Sequence, residues 1–158
     1  MQFTNYFFAS LSSFLGLLTG TLLIRIAPEE QKPLGKYFVL LKKLLLLFAF
    51  AFLAFYYFGS WLYFIGLSAL FAFLLFFEYK IKNSSKKSVI FYLMLGILFY
   101  LSSKNTNLLA TESSIVLLYG IATASIEFSK KKPYKTLFYC TGFIVISNLL
   151  LLVTISHF

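Results

Sequence analysis

Residues 44–77 read LLLLFAFAFLAFYYFGSWLYFIGLSALFAFLLFF, without one charged side chain. Lys42 and Lys43 stand immediately before this run and Glu78 immediately after it. As a single helix the stretch would extend about 51 Å at 1.5 Å per residue, far beyond the ~30 Å of a bilayer's hydrocarbon. Tilt does not absorb such an excess cheaply. Gly59-Ser60 lies near the middle, and small residues of this kind punctuate elements. Tyr56, Tyr57, Trp61 and Tyr63 flank it, and aromatic rings with polar tips favour the membrane–water interface. The run therefore reads as two crossing helices, about 38–58 and 60–77, joined by a turn at one surface.

Outward from this pair the same ruler predicts four more spans, at about 7–26, 88–103, 108–128 and 136–156. Pro28 prevents a simple continuation of the first, and Pro28-Glu29-Glu30 has the composition of a helical turn lying on the membrane surface. The fourth span is short, and the fifth is the least apolar. The expected fold is an all-α, single-domain, polytopic bundle of six transmembrane helices in the cell membrane. The N-terminus lacks the positive n-region of a signal peptide, so the first helix is expected to stay in the mature protein.

Charge placement supports six crossings. With that number, the first, third and fifth connections hold Arg25, Lys32, Lys36, Lys42, Lys43, Lys80, Lys82, Lys86, Lys87, Lys130, Lys131, Lys132 and Lys135, and Lys104 alone falls on the other side. Basic residues of short loops stay cytoplasmic, so both termini are expected outside. If residues 44–77 crossed only once, or 88–103 failed to cross, this asymmetry would collapse. Lys42 and Lys43 sit within the second span but near its cytoplasmic end, where long stems are expected to snorkel to the headgroups.

Composition agrees. Apolar residues make up 60% and charged residues 12% of the chain, about half the charge with which a soluble domain covers its surface. The net charge of +9 does not indicate nucleic-acid binding, because the lysines sit in clusters between apolar runs. Their expected partners are the bilayer and anionic lipid headgroups on the cytoplasmic side.

In lipid, helices associate through small residues that let backbones approach. Ser12, Gly16 and Gly20 form such a ridge on the first span, and Ser113, Gly120 and Ala124 form another on the fifth. Packing within one bundle is the plain use of these faces, and a homo-oligomer or a larger membrane complex is the alternative. The second span, crowded with Phe and Leu, reads as lipid-facing. Glu78 with Lys82, and Glu127 with Lys131, have the i,i+4 spacing of helical ion pairs.

Ionisable groups inside a membrane are costly and hence functional candidates. Glu112, about one turn into the fifth span, is the foremost. Glu112, Val116, Tyr119, Thr123 and Glu127 share one helical stripe, with a carboxylate near each end. Buried, that stripe would line a polar path for a cation, a proton or a small polar solute. Near the outer interface, Glu112 would instead reach water or pair with Lys104. Asn148 reads as helix-to-helix glue. Cys140 reads as a small apolar residue, and His157 is the only histidine. No metal set, haem ligand pair, catalytic triad or phosphate loop is legible, so no catalytic residue, cofactor or metal is expected. A compact transporter or channel-like protein is the leading expectation. A non-catalytic accessory subunit of a membrane complex is the alternative, and an enzyme on lipid-linked substrates the third.

Overall fold

The computed structural model describes residues 3–26, 29, 31–81, 84–127 and 138–156. Among these every regular element is helical: α1 (Phe3–Ile26), α2 (Gln31–Tyr56), α3 (Trp61–Lys80), α4 (Ser84–Ser102), α5 (Thr106–Glu127) and α6 (Gly142–Ser156). Five helices are long and apolar enough to cross a membrane, the last of them counted from Phe138. The chain turns between α2 and α3 at residues 57–60, where the rings of Tyr57 and Tyr63 stack at 4.7 Å and the Tyr57 hydroxyl donates to the Leu101 carbonyl at 2.7 Å. Of the expected surface turn at residues 28–30 only Glu29 is described, as an exposed turn residue, and the Glu127–Lys131 ion pair lies outside the described residues.

The helices run further than the apolar runs that announce them. α2 starts at Gln31 and carries Pro33 in its first turn, where a missing N–H leaves no bond unmade. The hydrocarbon boundary limits apolarity but not helical backbone. α5 has a defined start: Asn105 Oδ1 accepts the N–H groups of Asn107 at 2.9 Å and Leu108 at 3.3 Å, an N-cap for two otherwise orphaned donors.

The most extensive pairing joins α1 to α5, followed by α2 with α5 and α4 with α6. α1 meets α5 through glycine. A Cβ on Gly16 would overlap the Leu117 carbonyl. One on Gly20 would lie 2.6 Å from the Ala124 Cβ, and one on Gly120 2.6 Å from the Leu17 nitrogen. The two small-residue faces thus close on one another within the chain. Ser12 is not part of this seam: it is exposed and its hydroxyl donates to its own helix at Ala9. Ser13 takes the place, with its Oγ 2.8 Å from that of Ser113. One residue of helix rotates a side chain by about 100°, and that separates the two serines.

α2 is not simply lipid-facing. Leu45, Leu46, Ala49, Phe50 and Leu53 are buried; α2 packs mainly on α5, and Phe50 meets Phe71 of α3 at 4.9 Å. α4 carries the shortest apolar stretch, yet beyond Lys86 none of its described residues is exposed. A helix enclosed by other helices need not match the lipid thickness along its length. Gly96 lets it approach α6, where a Cβ would stand 3.1 Å from the Phe143 carbonyl. α3 is peripheral, with few contacts to α2 and α4.

The buried seam has a measurable consequence. Gly16→Leu or Gly120→Leu is expected to lower unfolding stability in detergent by at least about 2 kcal/mol, the scale of overpacking. Ser12→Ala is expected to leave it within ~0.5 kcal/mol, as for other surface changes. Denaturation of the purified protein followed by circular dichroism checks both.

Candidate functional site

The seam fixes which face of α5 turns inward. With Gly120 and Ala124 against α1, the stripe of Glu112, Val116, Tyr119 and Thr123 is buried in the bundle, while Ala110, Ser114 and Leu118 form the narrow outward strip. Glu112 is 0% and Thr123 1% exposed. Neither Oε1 nor Oε2 of Glu112 accepts a hydrogen bond from any described residue, and the Thr123 hydroxyl likewise makes none. Glu127 ends α5, but its side chain lies outside the described residues.

Burial corrects the interfacial reading of Glu112. Its expected partner Lys104 turns elsewhere, donating to the Tyr63 hydroxyl at 2.7 Å with its ammonium 4.4 Å from that ring's centre. Position along a helix does not specify burial. Glu112 is near the start of α5, but α5 is wrapped by α1, α2 and α4.

The snorkelling expectation for Lys42 is corrected as well. Its side chain turns into the bundle, donates to Ser88 Oγ on α4 at 2.9 Å, and lies 5.4 Å from the Tyr119 ring centre and 5.9 Å from that of Phe91. Such placement is favourable when the ammonium gives up water for a ring face. Its neighbour Lys43 does stay exposed, and pairs with Glu78 of α3 at 3.2 Å. The lysine of the expected Glu78–Lys82 pair lies outside the described residues.

Lys42 and Glu112 meet the same face of α5 at different heights. Glu112 and Tyr119 are seven residues apart, about 10 Å along the axis. Around Tyr119 the interior is aromatic. Tyr92 stands 5.5 Å from Tyr119 and 6.2 Å from Phe143. Phe143 lies 5.5 Å from Phe99, and Phe99 5.2 Å from Tyr6. These rings link α5, α4, α6 and α1. The Tyr92 hydroxyl has no described hydrogen-bond partner and lies where a Gly120 side chain would stand. Sequence reading missed Lys42, Ser88 and Tyr92 as interior groups. The adjacent lysines stand out before an apolar run, but do not tell which of the pair points inward.

A second polar cluster fastens helices to one another, although Asn148 Oδ1 meets no donor among the described residues. Asn148 Nδ2 donates to Ser10 Oγ at 3.0 Å and to its own helix at Ile144, and the Tyr6 hydroxyl donates to the Ser147 carbonyl at 3.2 Å. These bonds fasten α6 to α1. A larger cavity, about 550 Å³, opens between α3, α4 and α6 and is lined by Tyr63, Tyr100, Lys104 and Thr154 among others. No group of three or more His, Cys, Asp or Glu gathers among the described residues. Cys140 is buried.

Comparison with protein-family models, with curated proteins and with solved structures finds no match for this chain in any of the three. The functional reading therefore rests on the site itself.

The two clusters are expected to differ in stability measurements. Asn148→Leu should cost about 1 kcal/mol, the usual worth of an interhelical hydrogen bond in a membrane. Glu112→Leu should leave stability unchanged or raise it, since it replaces a buried carboxylate that no described residue satisfies. Chemical denaturation in detergent micelles distinguishes them, and a large loss for Glu112→Leu would assign that residue to structure.

Proposed function

We propose that the chain is a multi-pass integral membrane protein with six spans and both termini outside, acting as a compact transporter or channel-like protein for a cation, a proton or a small polar solute. The observation that carries this reading is Glu112: a carboxylate at 0% exposure, inside an apolar bundle, whose oxygens meet no described donor. A membrane protein retains such a group at a cost of several kcal/mol. A cation or a proton is the partner that would offset it. Tyr119 and Thr123 continue the same face towards the other end of α5, and the inward-turned Lys42 bounds it there.

Two further features support the reading. The small-residue ridge that motivated an oligomeric accessory role is occupied within the chain, by α5. The α4 helix, whose crossing sets the parity of the lysine clusters, is not among the five helices long and apolar enough by themselves, but beyond Lys86 it is enclosed by the bundle, so its short apolar stretch need not match the hydrocarbon thickness.

Orientation is checked in a Cys140→Ala background. A cysteine at Lys104 is expected to react with an impermeant maleimide on intact cells, and one at Lys86 only after permeabilisation. Labelling of position 86 from outside would overturn the topology. Activity is checked in proteoliposomes with dye-reported proton and alkali-cation flux. Glu112→Gln is expected to reduce flux at least tenfold, while Ser114→Ala on the outward strip leaves it unchanged. Unaltered flux in Glu112→Gln would remove the column from the mechanism.

A further inference from the structure

α4 packs closely on α6 and only lightly on α3, and no comparable seam joins α3 to α6. The gap between these two helices, at the Lys104 end of the bundle, is the cavity of about 550 Å³. That volume lies within the ~300–1,000 Å³ range of small-molecule sites. Lys104 and Ile155 line the cavity and are themselves exposed, so it opens on the flank of the bundle. Its polar side chains lie towards the helix ends. Tyr63 is in the first turn of α3, Ser103 and Lys104 follow the last residue of α4, and Thr154 is near the end of α6. Leu151 stands about one turn deeper on α6 than Thr154, so the lining becomes apolar away from the surface.

Aromatic residues set the depth of the polar end. Trp61 opens α3 and is 80% exposed, and Tyr56, Tyr57, Tyr63 and Tyr100 stand at the same end of the bundle. Trp and Tyr concentrate at the level of lipid headgroups. Lys104 is held there rather than loose, with its ammonium bonded to the Tyr63 hydroxyl at 2.7 Å and 4.4 Å from that ring's centre. An ammonium has three donors, and this bond uses one. The Tyr63 oxygen accepts from Lys104 and keeps its own O–H as a donor. The Tyr100 hydroxyl reaches Thr154 Oγ1 only at 3.4 Å, at the long limit of a hydrogen bond.

We infer that this cavity seats one phospholipid of the adjoining leaflet. Lys104 holds the phosphodiester, with the Tyr63 and Tyr100 hydroxyls beside it, and the start of an acyl chain lies against Leu101, Leu151 and Ile155. Lysine serves phosphate as a point charge, and a cation at this depth meets headgroups without leaving water. Inorganic phosphate presents the same oxygens, but it leaves the apolar part of the lining uncovered, which favours a lipid. The lateral opening also matches a ligand that arrives from the bilayer. The assignment does not depend on the Glu112 pathway, since no flux is involved and Glu112 does not line this cavity. The proposed topology decides only which leaflet supplies the lipid.

The test uses the full chain in detergent, titrated with single lipids and read by native mass spectrometry. The probes are phosphatidylglycerol, phosphatidylcholine and diacylglycerol with the same acyl chains. One equivalent of phospholipid is expected to be retained, and diacylglycerol, which lacks the phosphodiester, is not. Retention of phosphatidylglycerol alone supports the site and narrows it to headgroups of net negative charge. Lys104→Gln should weaken retention at least tenfold, while Lys86→Gln, exposed at the opposite end, should leave it unchanged. Leu151→Trp, which fills the apolar part of the cavity, should weaken it as well. Lys104 lies in an exposed turn, so its variant tests the site even where Leu151→Trp folds poorly. The assignment is overturned if diacylglycerol is held as tightly as the phospholipids, if excess inorganic phosphate displaces the lipid, or if Lys104→Gln retains it like the unaltered chain.

Discussion

The close approach of two backbones, α1 and α5, is the constraint on which the remaining structure depends. Apolar attraction gives little preference between helix and lipid, so contact must come from shape. Gly16, Gly20, Gly120 and Ala124 supply that shape, leaving room for main chain where side chains would collide. Once α5 is held against α1 on this face, the stripe about 100° further round the helix turns into the bundle, towards α2 and α4. The buried positions of Glu112, Tyr119 and Thr123 follow from the helical repeat. The polar interior is thus a consequence of a glycine seam that contains no polar chemistry of its own.

That interior is asymmetric along its length. One end of the α5 face carries a carboxylate and the other meets an ammonium, with tyrosine rings between them. At a separation of about 10 Å along the helix, these groups do not form a contact pair. Each must be satisfied locally, Lys42 by Ser88 and ring faces, Glu112 by something the protein's described groups do not supply. Asn148 differs in degree: its Nδ2 donates across a helix interface while its Oδ1 meets no described donor, whereas neither oxygen of Glu112 makes such a bond.

Much of the architecture was legible in the sequence because bilayer physics leaves a coarse trace. Charge-free runs announce helices long and apolar enough to cross a membrane, Gly59-Ser60 falls within the observed turn at residues 57–60, and the small residues of α1 and α5 mark the faces that meet. Finer features were not legible, for rotational reasons. Ser12 and Ser13 are both compatible with a ridge through Gly16 and Gly20, and only packing chooses Ser13. Lys42 and Lys43 are adjacent, so one points into the bundle and the other out, and composition cannot say which. The burial of Glu112 is a tertiary fact set by helices far away in the chain. The Phe- and Leu-rich α2 offered no small-residue signal, yet it packs on α5, and its Leu45, Ala49 and Leu53 are buried.

The account stands on Glu112 being sealed inside the bundle by the seam. Reaction of the membrane-embedded protein with a water-soluble carbodiimide and an amine, mapped by mass spectrometry, tests this most directly. Glu29, exposed outside the helices, should be modified readily while Glu112 stays unmodified, and Gly16→Leu should open Glu112 to the reagent. Modification of Glu112 in the unaltered protein at the rate of Glu29 would contradict the account.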